Sequence, residues 1–187
     1  MISASRFYAI LNSLKKKGYL KEYSVNFGYR GGMSTFLEIT PSGCDAIGVR
    51  PKPHLTRGGN FITDIFAIKL SEHLKEIIPN SKISIEKQIQ GKWIDIVIEG
   101  INQPFVIGIE LELSDINLKS NIGGAEKTDF LIEACINEQI MNRACEIVKD
   151  LPIEKQNRVA ICSLTKLLRC EKLSKVVDSQ VLKERNL

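Results

Sequence analysis

Two short alternating stretches constrain this chain more than anything else in it. They are Trp93-Ile94-Asp95-Ile96-Val97-Ile98 and Val106-Ile107-Gly108-Ile109-Glu110-Leu111-Glu112-Leu113, separated by a turn from Gly100 to Pro104. A period of two is the signature of a β-strand, and two such runs across a short turn read as a hairpin. In a strand, residues two apart share a face. Ile94, Ile96 and Ile98 then face one way and leave Asp95 beside Trp93 and Val97. On the second strand Ile107, Ile109, Leu111 and Leu113 oppose Glu110 and Glu112. Three carboxylates thus gather on one side of neighbouring strands. Like charges that close repel, and a divalent cation is the simplest offset. Alternating Ile and Glu also occurs on the wet face of an ordinary edge hairpin, so the acids need support from the rest of the chain.

That support begins with element order. Phe61 to Ile78 carries Ile62, Phe66, Leu70, Leu74 and Ile77 on one helical face and stops at Pro79-Asn80. Lys82–Ile89 alternates as a strand and precedes the hairpin. Asp115 to about Lys127 reads as a weaker helix interrupted at Gly123-Gly124. Phe130–Ile136 reads as a buried strand, Glu138–Leu151 as an amphipathic helix, Val159–Leu164 as another buried strand, and Leu173–Leu182 as a final helix. The order α-β-β-β-α-β-α-β demands parallel pairing after the first three strands. The expectation is an α/β domain over residues 61–187 with a mixed central sheet flanked by helices.

The first 50 residues differ in character. Phe7, Ile10, Leu11 and Leu14 form a helical stripe from Ser3 to about Lys17, with Lys15, Lys16 and Lys17 in the last turn and Gly18 after it. Two strand-like runs, Tyr19–Asn26 and Met33–Thr40, flank a glycine-rich tip that includes Arg30. Thr40 and Pro41 open a further short helix. Residues 51–60, rich in Pro, Gly and basic side chains, read as a linker. Charge divides along the same boundary. Residues 1–60 hold nine Lys/Arg against three Asp/Glu, a balance of +6, whereas the remainder of the chain is at −2. A basic segment beside a near-neutral domain suits a polyanionic partner, most simply nucleic acid.

Other classes fit poorly. No apolar run is long enough to span a bilayer, and the amino terminus lacks a signal-peptide layout, so no membrane role is expected. Five cysteines without a Cys-x-x-Cys pair argue against a disulfide framework or a zinc site and suit the cytoplasm. Only two histidines exist, and neither His54 nor His73 stands near a plausible nucleophile.

Over residues 3–48 the succession helix, "Leu-Lys-Lys-Lys-Gly-Tyr-Leu", hairpin, "Thr-Pro-Ser-Gly", helix resembles the second half of a winged-helix DNA-binding domain. The resemblance implies that Arg6, Asn12, Lys15 and Lys16 on the first helix, and Arg30 on the wing tip, contact DNA. The two helices that normally come before the recognition helix are missing, and the expectation is that the chain is the carboxy-terminal part of a longer protein. From about Phe61 to Leu168, the element order and the acids resemble the PD-(D/E)XK superfamily, the restriction-endonuclease-like nucleases. That resemblance implies an Mg²⁺- or Mn²⁺-dependent deoxyribonuclease in which Asp95 and Glu110 bind metal. Glu112 stands where the family phrase has lysine. It would then bind metal or act as the base, as the Glu found there in the Bam-type restriction enzymes allows, and Lys119 would assist from the next helix. Lys87, on the first strand, is a weaker substitute for that lysine. The alternative is an inactive relative, a DNA-binding or assembly module of a mobile element or a partner ATPase. DNA, a second copy of the chain and a larger partner protein are the expected associations.

Overall fold

The computed structural model describes residues 3–28, 32–56, 59–100, 104–185 and 187. The protein is mixed α/β and divides into two compact units, residues 1–54 and 55–187. The split falls inside the segment that composition marks as a linker.

In the first unit, α1 (Ala4–Lys16) is capped by Ser3, whose side chain accepts from the Arg6 N–H. A two-stranded antiparallel sheet follows, β1 (Leu20–Val25) with β2 (Ser34–Ile39), and then α2 (Pro41–Ala46). Thr40 joins these parts. Its hydroxyl accepts from Gly43 N–H at 3.1 Å and donates to Gly18 O at 2.6 Å. The apolar interior of this unit is small, with Val25, Phe27 and Cys44 as its buried hydrophobic residues among those described. Phe27 meets Phe36 edge-on.

The second unit holds a five-stranded sheet in sequential order. The strands are β3 (Lys82–Ile89), β4 (Lys92–Glu99), β5 (Val106–Glu112), β6 (Phe130–Cys135) and β7 (Val159–Ser163). The first three pair antiparallel and the last three parallel, so the sheet is mixed. Hairpins need only short turns, and the β3–β4 turn uses Gln90 and Gly91, both at positive φ. Parallel neighbours need crossovers, which here contain α4 (Leu118–Gly123) and a 3₁₀ turn, then α5 (Glu138–Lys149) and α6 (Ile153–Gln156). The helix α3 (Phe61–Ile77) packs on β3, β4 and β5, while Leu118, Ile122, Ile140 and Ala144 of α4 and α5 close on Cys135. Every residue of β6 is buried, as expected of a central strand covered on both faces. After β7 come α7 (Leu164–Leu167), a 3₁₀ turn at Leu173–Lys175, and α8 (Gln180–Glu184). The continuous helix expected over 173–182 is therefore split, and Val176, Val177, Asp178 and Ser179 lie between its pieces. β-Branched and short polar side chains in succession are weak helix formers. No helix among the described residues is long and apolar enough to cross a membrane, and all five cysteines are free thiols.

The segment entering the second unit is fixed by one buried acid. Asp64, on the first turn of α3, accepts from both the backbone N–H and the hydroxyl of Thr56, at 3.0 and 2.9 Å. Asn60 caps the same helix in a reciprocal box with Thr63. Hydrogen bonds to a buried carboxylate are worth about 1.5–3 kcal/mol. Asp64→Ala should therefore lower stability in urea unfolding by about 2 kcal/mol, whereas Glu72→Ala on the exposed side of α3 should change it by less than about 0.5 kcal/mol.

A cleft of buried carboxylates

The strand register puts the acids together. Ile96 pairs with Ile109 at the last ladder contact between β4 and β5, which sets Asp95 opposite Glu110 where the two strands part. Side chains fill the gap that the ladder leaves. Asp95 Oδ2 accepts the Leu111 N–H at 2.8 Å, and Glu110 Oε2 accepts the Asp95 N–H at a longer 3.4 Å. Both carboxylates line a cleft of about 270 Å³ with Glu86, Trp93, Glu112, Ser114, Asn117 and Asn121, while Gly59, Asn60 and Thr63 at the start of α3 form another part of its wall.

Lysine reaches the cluster from β4. Lys92 Nζ lies 3.0 Å from Glu110 Oε1 and donates to the Asn121 carbonyl at 2.6 Å. Asn121 Nδ2 in turn donates to Glu112 Oε1 at 2.8 Å. The Lys92 side chain crosses directly over Gly124, where a Cβ would stand 2.3 Å from its Cδ and 2.4 Å from its Nζ. Glycine at 124 is what leaves room for it.

Regular alternation would have sent Lys92, three positions before Asp95, to the opposite face. On the neighbouring strand, Glu86 sits within β3 at φ 52° and faces Asp95 in a gap between the pairs Ile85–Ile96 and Lys87–Ile94. A non-glycine residue in the left-handed region is strained by about 1 kcal/mol or more, and such residues concentrate where function requires them. Sequence reasoning missed Lys92 because it relied on parity alone.

Burial dominates the electrostatics. It pushes Asp95 up to about 6, with Glu86 and Glu112 adding to the rise and the Leu111 N–H and Lys92 opposing it. It pushes Glu110 up to about 7, opposed by Lys92 and reinforced by Asp95. Behind both lies Glu133 of β6, paired in register with Glu110 and fully buried. Among the described residues no donor reaches either of its oxygens. Burial first, then the neighbouring Glu112 and Glu110, hold its carboxyl well above the usual range. Neutral, it can donate to Glu112, which turns a costly buried charge into a hydrogen-bonded acid. Glu133 was legible in the sequence as the one charged residue inside a run of apolar ones.

The other expected site residues are placed differently. Glu112 lines the cleft but is committed to Asn121, and among the described residues no three acidic, histidine or cysteine side chains are grouped to hold an ion. Lys119 is exposed on α4 and does not line the cleft. Lys87 is ion-paired with Glu99 instead. In the first unit Arg6, Asn12 and Lys16 are exposed on α1, whereas Lys15 is engaged by Glu22 at 2.7 Å. Arg30 lies outside the described residues. His73 is a structural residue, its Nε2 2.9 Å from the Cys170 carbonyl.

As a donor set the cleft is hard oxygen throughout. Glu86 Oε1 and Glu110 Oε1 are both buried without a hydrogen-bond partner among the described residues, since Lys92 approaches Glu110 as an ion pair and not in hydrogen-bond alignment. Mg²⁺ commonly takes one or two carboxylates and keeps water in its remaining positions, so Asp95 and Glu110 suffice in number and type. The Leu111 carbonyl already accepts the Leu113 N–H at 3.1 Å.

No protein-family model, curated protein or solved structure matches the chain.

The raised carboxyls make stability depend on pH with a definite sign. Between their ordinary values and about 6 to 7, the folded protein keeps protons that the unfolded chain has released, so their contribution to stability falls as pH rises through that window. Glu110→Gln removes one such group. Relative to wild type it should gain about 2 kcal/mol on moving from about pH 5 to about pH 7.5, read from urea unfolding at the two pH values. Parallel pH profiles for the two proteins would show that Glu110 is not raised.

Proposed function

We propose that the second unit is a metal-dependent DNA endonuclease of the restriction-endonuclease-like, PD-(D/E)XK type, and that the first unit is a partial winged helix that holds the DNA. The observation that carries the reading is the juxtaposition of Asp95, Glu110 and Lys92 at the parting of two strands of a mixed sheet. Two carboxylates in one cleft with a lysine paired to one of them are a set that suits phosphodiester hydrolysis, and Lys92 would supply from β4 the cation that Glu112 displaces from the usual position on β5.

Asp95 and Glu110 would hold Mg²⁺ or Mn²⁺, which when bound neutralises charge on the scissile phosphate and acidifies a coordinated water. The chain's own groups prepare the rest. The Leu111 N–H fixes the Asp95 carboxylate in orientation. Lys92, steadied by the Asn121 carbonyl, holds a positive charge beside Glu110 and would stabilise charge on a bound phosphate. Glu112, oriented by the Asn121 amide, would serve as a proton acceptor, and Glu133 behind it, held well above the usual carboxylate range by burial, would hold a proton. Asn121 therefore links the lysine to Glu112 through one residue, by its backbone carbonyl on one side and its side-chain amide on the other.

Incubation of the full chain with supercoiled plasmid and Mn²⁺ tests the assignment. Asp95→Asn, Glu110→Gln and Lys92→Met should each reduce cleavage at least about a hundredfold, in line with losing one preorganised charge, while Lys119→Met should leave it within about twofold of wild type. Retention of cleavage in all three would remove this cleft from the reaction.

The ion pair between Lys92 and Glu110 also favours a second reading, because it already offsets one acid without any metal. On that reading the domain binds DNA as part of a larger assembly, such as one driven by a partner ATPase, and does not cut. Salt-sensitive binding with no cleavage under any divalent cation would support it. On either reading the exposed basic side chains of α1 contact phosphates. Arg6→Ala and Lys16→Ala should each weaken DNA binding for all sequences alike and lower the salt slope by about 1. An unchanged slope would mean that α1 does not face DNA.

A further inference from the structure

The first unit shows more apolar surface than it hides. Its buried hydrophobic residues, among those described, are Val25, Phe27 and Cys44, and none of them is on α1. Phe7, Ile10, Leu11 and Leu14 fall at the i, i+3, i+4, i+7 spacing of one helical face. Leu11 and Leu14 are half-buried, whereas Phe7 is 53% and Ile10 45% exposed, and the Tyr8 ring meets Phe7 edge-on. The sheet continues this surface. Leu20 pairs with Ile39 and Glu22 with Leu37, so all four side chains share one face of the hairpin. The Lys15–Glu22 ion pair at 2.7 Å holds α1 to that face, on which Leu37 and Ile39 are exposed as well.

We propose that this surface is a homodimer interface, in which α1 and the adjoining hairpin face of one copy pack on the same elements of a second copy across a two-fold axis. The area fits. From their fractional exposures, Phe7, Tyr8, Ile10, Leu37 and Ile39 together present roughly 500 Å² of side-chain surface, toward the upper end of what a monomer ordinarily leaves open. A standard interface covers about 800 Å² per partner, about 65% of it apolar in homodimers, which comes to the same quantity. A two-fold interface sets one patch against itself, so it excludes patches that carry unbalanced charge. Here the one acid on the hairpin face, Glu22, is already paired with Lys15. Lys16 lies half a turn round the helix from Phe7 and stays outside the contact, where it can still meet phosphate. The balance of +6 over residues 1–60 repels a second copy, and salt screens that repulsion. Self-association through the apolar face therefore tightens as salt rises, the reverse of what an acidic partner or DNA would show.

Sedimentation equilibrium of the full chain without DNA, over a concentration series at low and high salt, tests the interface. The mass should rise with concentration from 21.0 kDa to twice that value, and the dimer should tighten with salt. Phe7→Ser and Ile10→Ser should each raise the dissociation constant at least about 30-fold, the loss usual for a central anchor. Ile153→Ser, at a similarly exposed position of the second unit, should leave it within about twofold. Both α1 side chains are already exposed in the single chain, so the variants should keep the far-UV circular dichroism of wild type. Hydrogen exchange of the wild-type chain supplies a readout that needs no variant: amides from Phe7 to Leu14 should slow as the dimer forms, and those of β7 should not. A chain that stays monomeric at every concentration, a dimer that salt dissociates, or a dimer that both α1 variants leave intact would overturn the proposal. With no DNA in the measurement, the nuclease reading stands or falls on its own test.

Discussion

Repulsion between carboxylates held out of water is the constraint that the second unit is arranged to manage. Asp95, Glu110 and Glu112 occupy adjoining strands, with Glu133 directly behind. A fold optimised for stability alone would replace them with apolar residues of similar size, because removing charges from water is costly and rarely repaid. Three features offset the cost: a backbone N–H aimed at Asp95, a lysine beside Glu110, and burial that favours the neutral form of Glu133. Each needs local departure from regular sheet structure. The β4–β5 ladder ends early, Glu86 takes a left-handed conformation, and α4 brings a carbonyl and an amide to the sheet. Strain and unpaired charge thus coincide in one place, as expected where a site is kept at the expense of stability.

The scaffold that permits this is regular. The apolar residues of β4, β5 and β6 are almost wholly buried, with helices packed on the sheet. Rigid strands are better supports for a charged constellation than loops, since their side-chain positions are set by the backbone ladder. The first unit has a far smaller interior, and α1 has no buried residue among its thirteen. A helix with Phe7, Tyr8 and Ile10 all substantially exposed gains little from burial.

Much of this was legible in the sequence, and the exceptions have physical causes. The strands and the long helices α1, α3 and α5 followed from periodicity because each is long enough to show two or more repeats. The α/β class and the mixed sheet followed from their order. Asp95 and Glu110 were legible as neighbours because they lie one position beyond the last ladder pair, Ile96 with Ile109, and keep its register. Lys92 was not, since strand parity assigns it to the face opposite Asp95, whereas its long side chain reaches Glu110 and the Asn121 carbonyl. Lys119 and Lys87 follow only from the resemblance, which asks for a lysine near the acids, and the structure gives one to solvent and the other to Glu99. Glu133 was visible as an acid among apolar neighbours, but its meaning required the parallel pairing with Glu110. The short helices α6 and α7, of four residues each, carry too little pattern to be read.

The passage of Lys92 over Gly124 has a consequence for how such a sequence can drift. Position 124 is not held to glycine by its backbone, because its φ of −85° suits any residue. It is held by the volume of a side chain 32 positions away. The two sites are therefore coupled: a larger residue at 124 would swing the flexible lysine tail aside, at the expense of its contacts with Glu110 and the Asn121 carbonyl, and a chain that has given up the lysine has no further reason to keep the glycine.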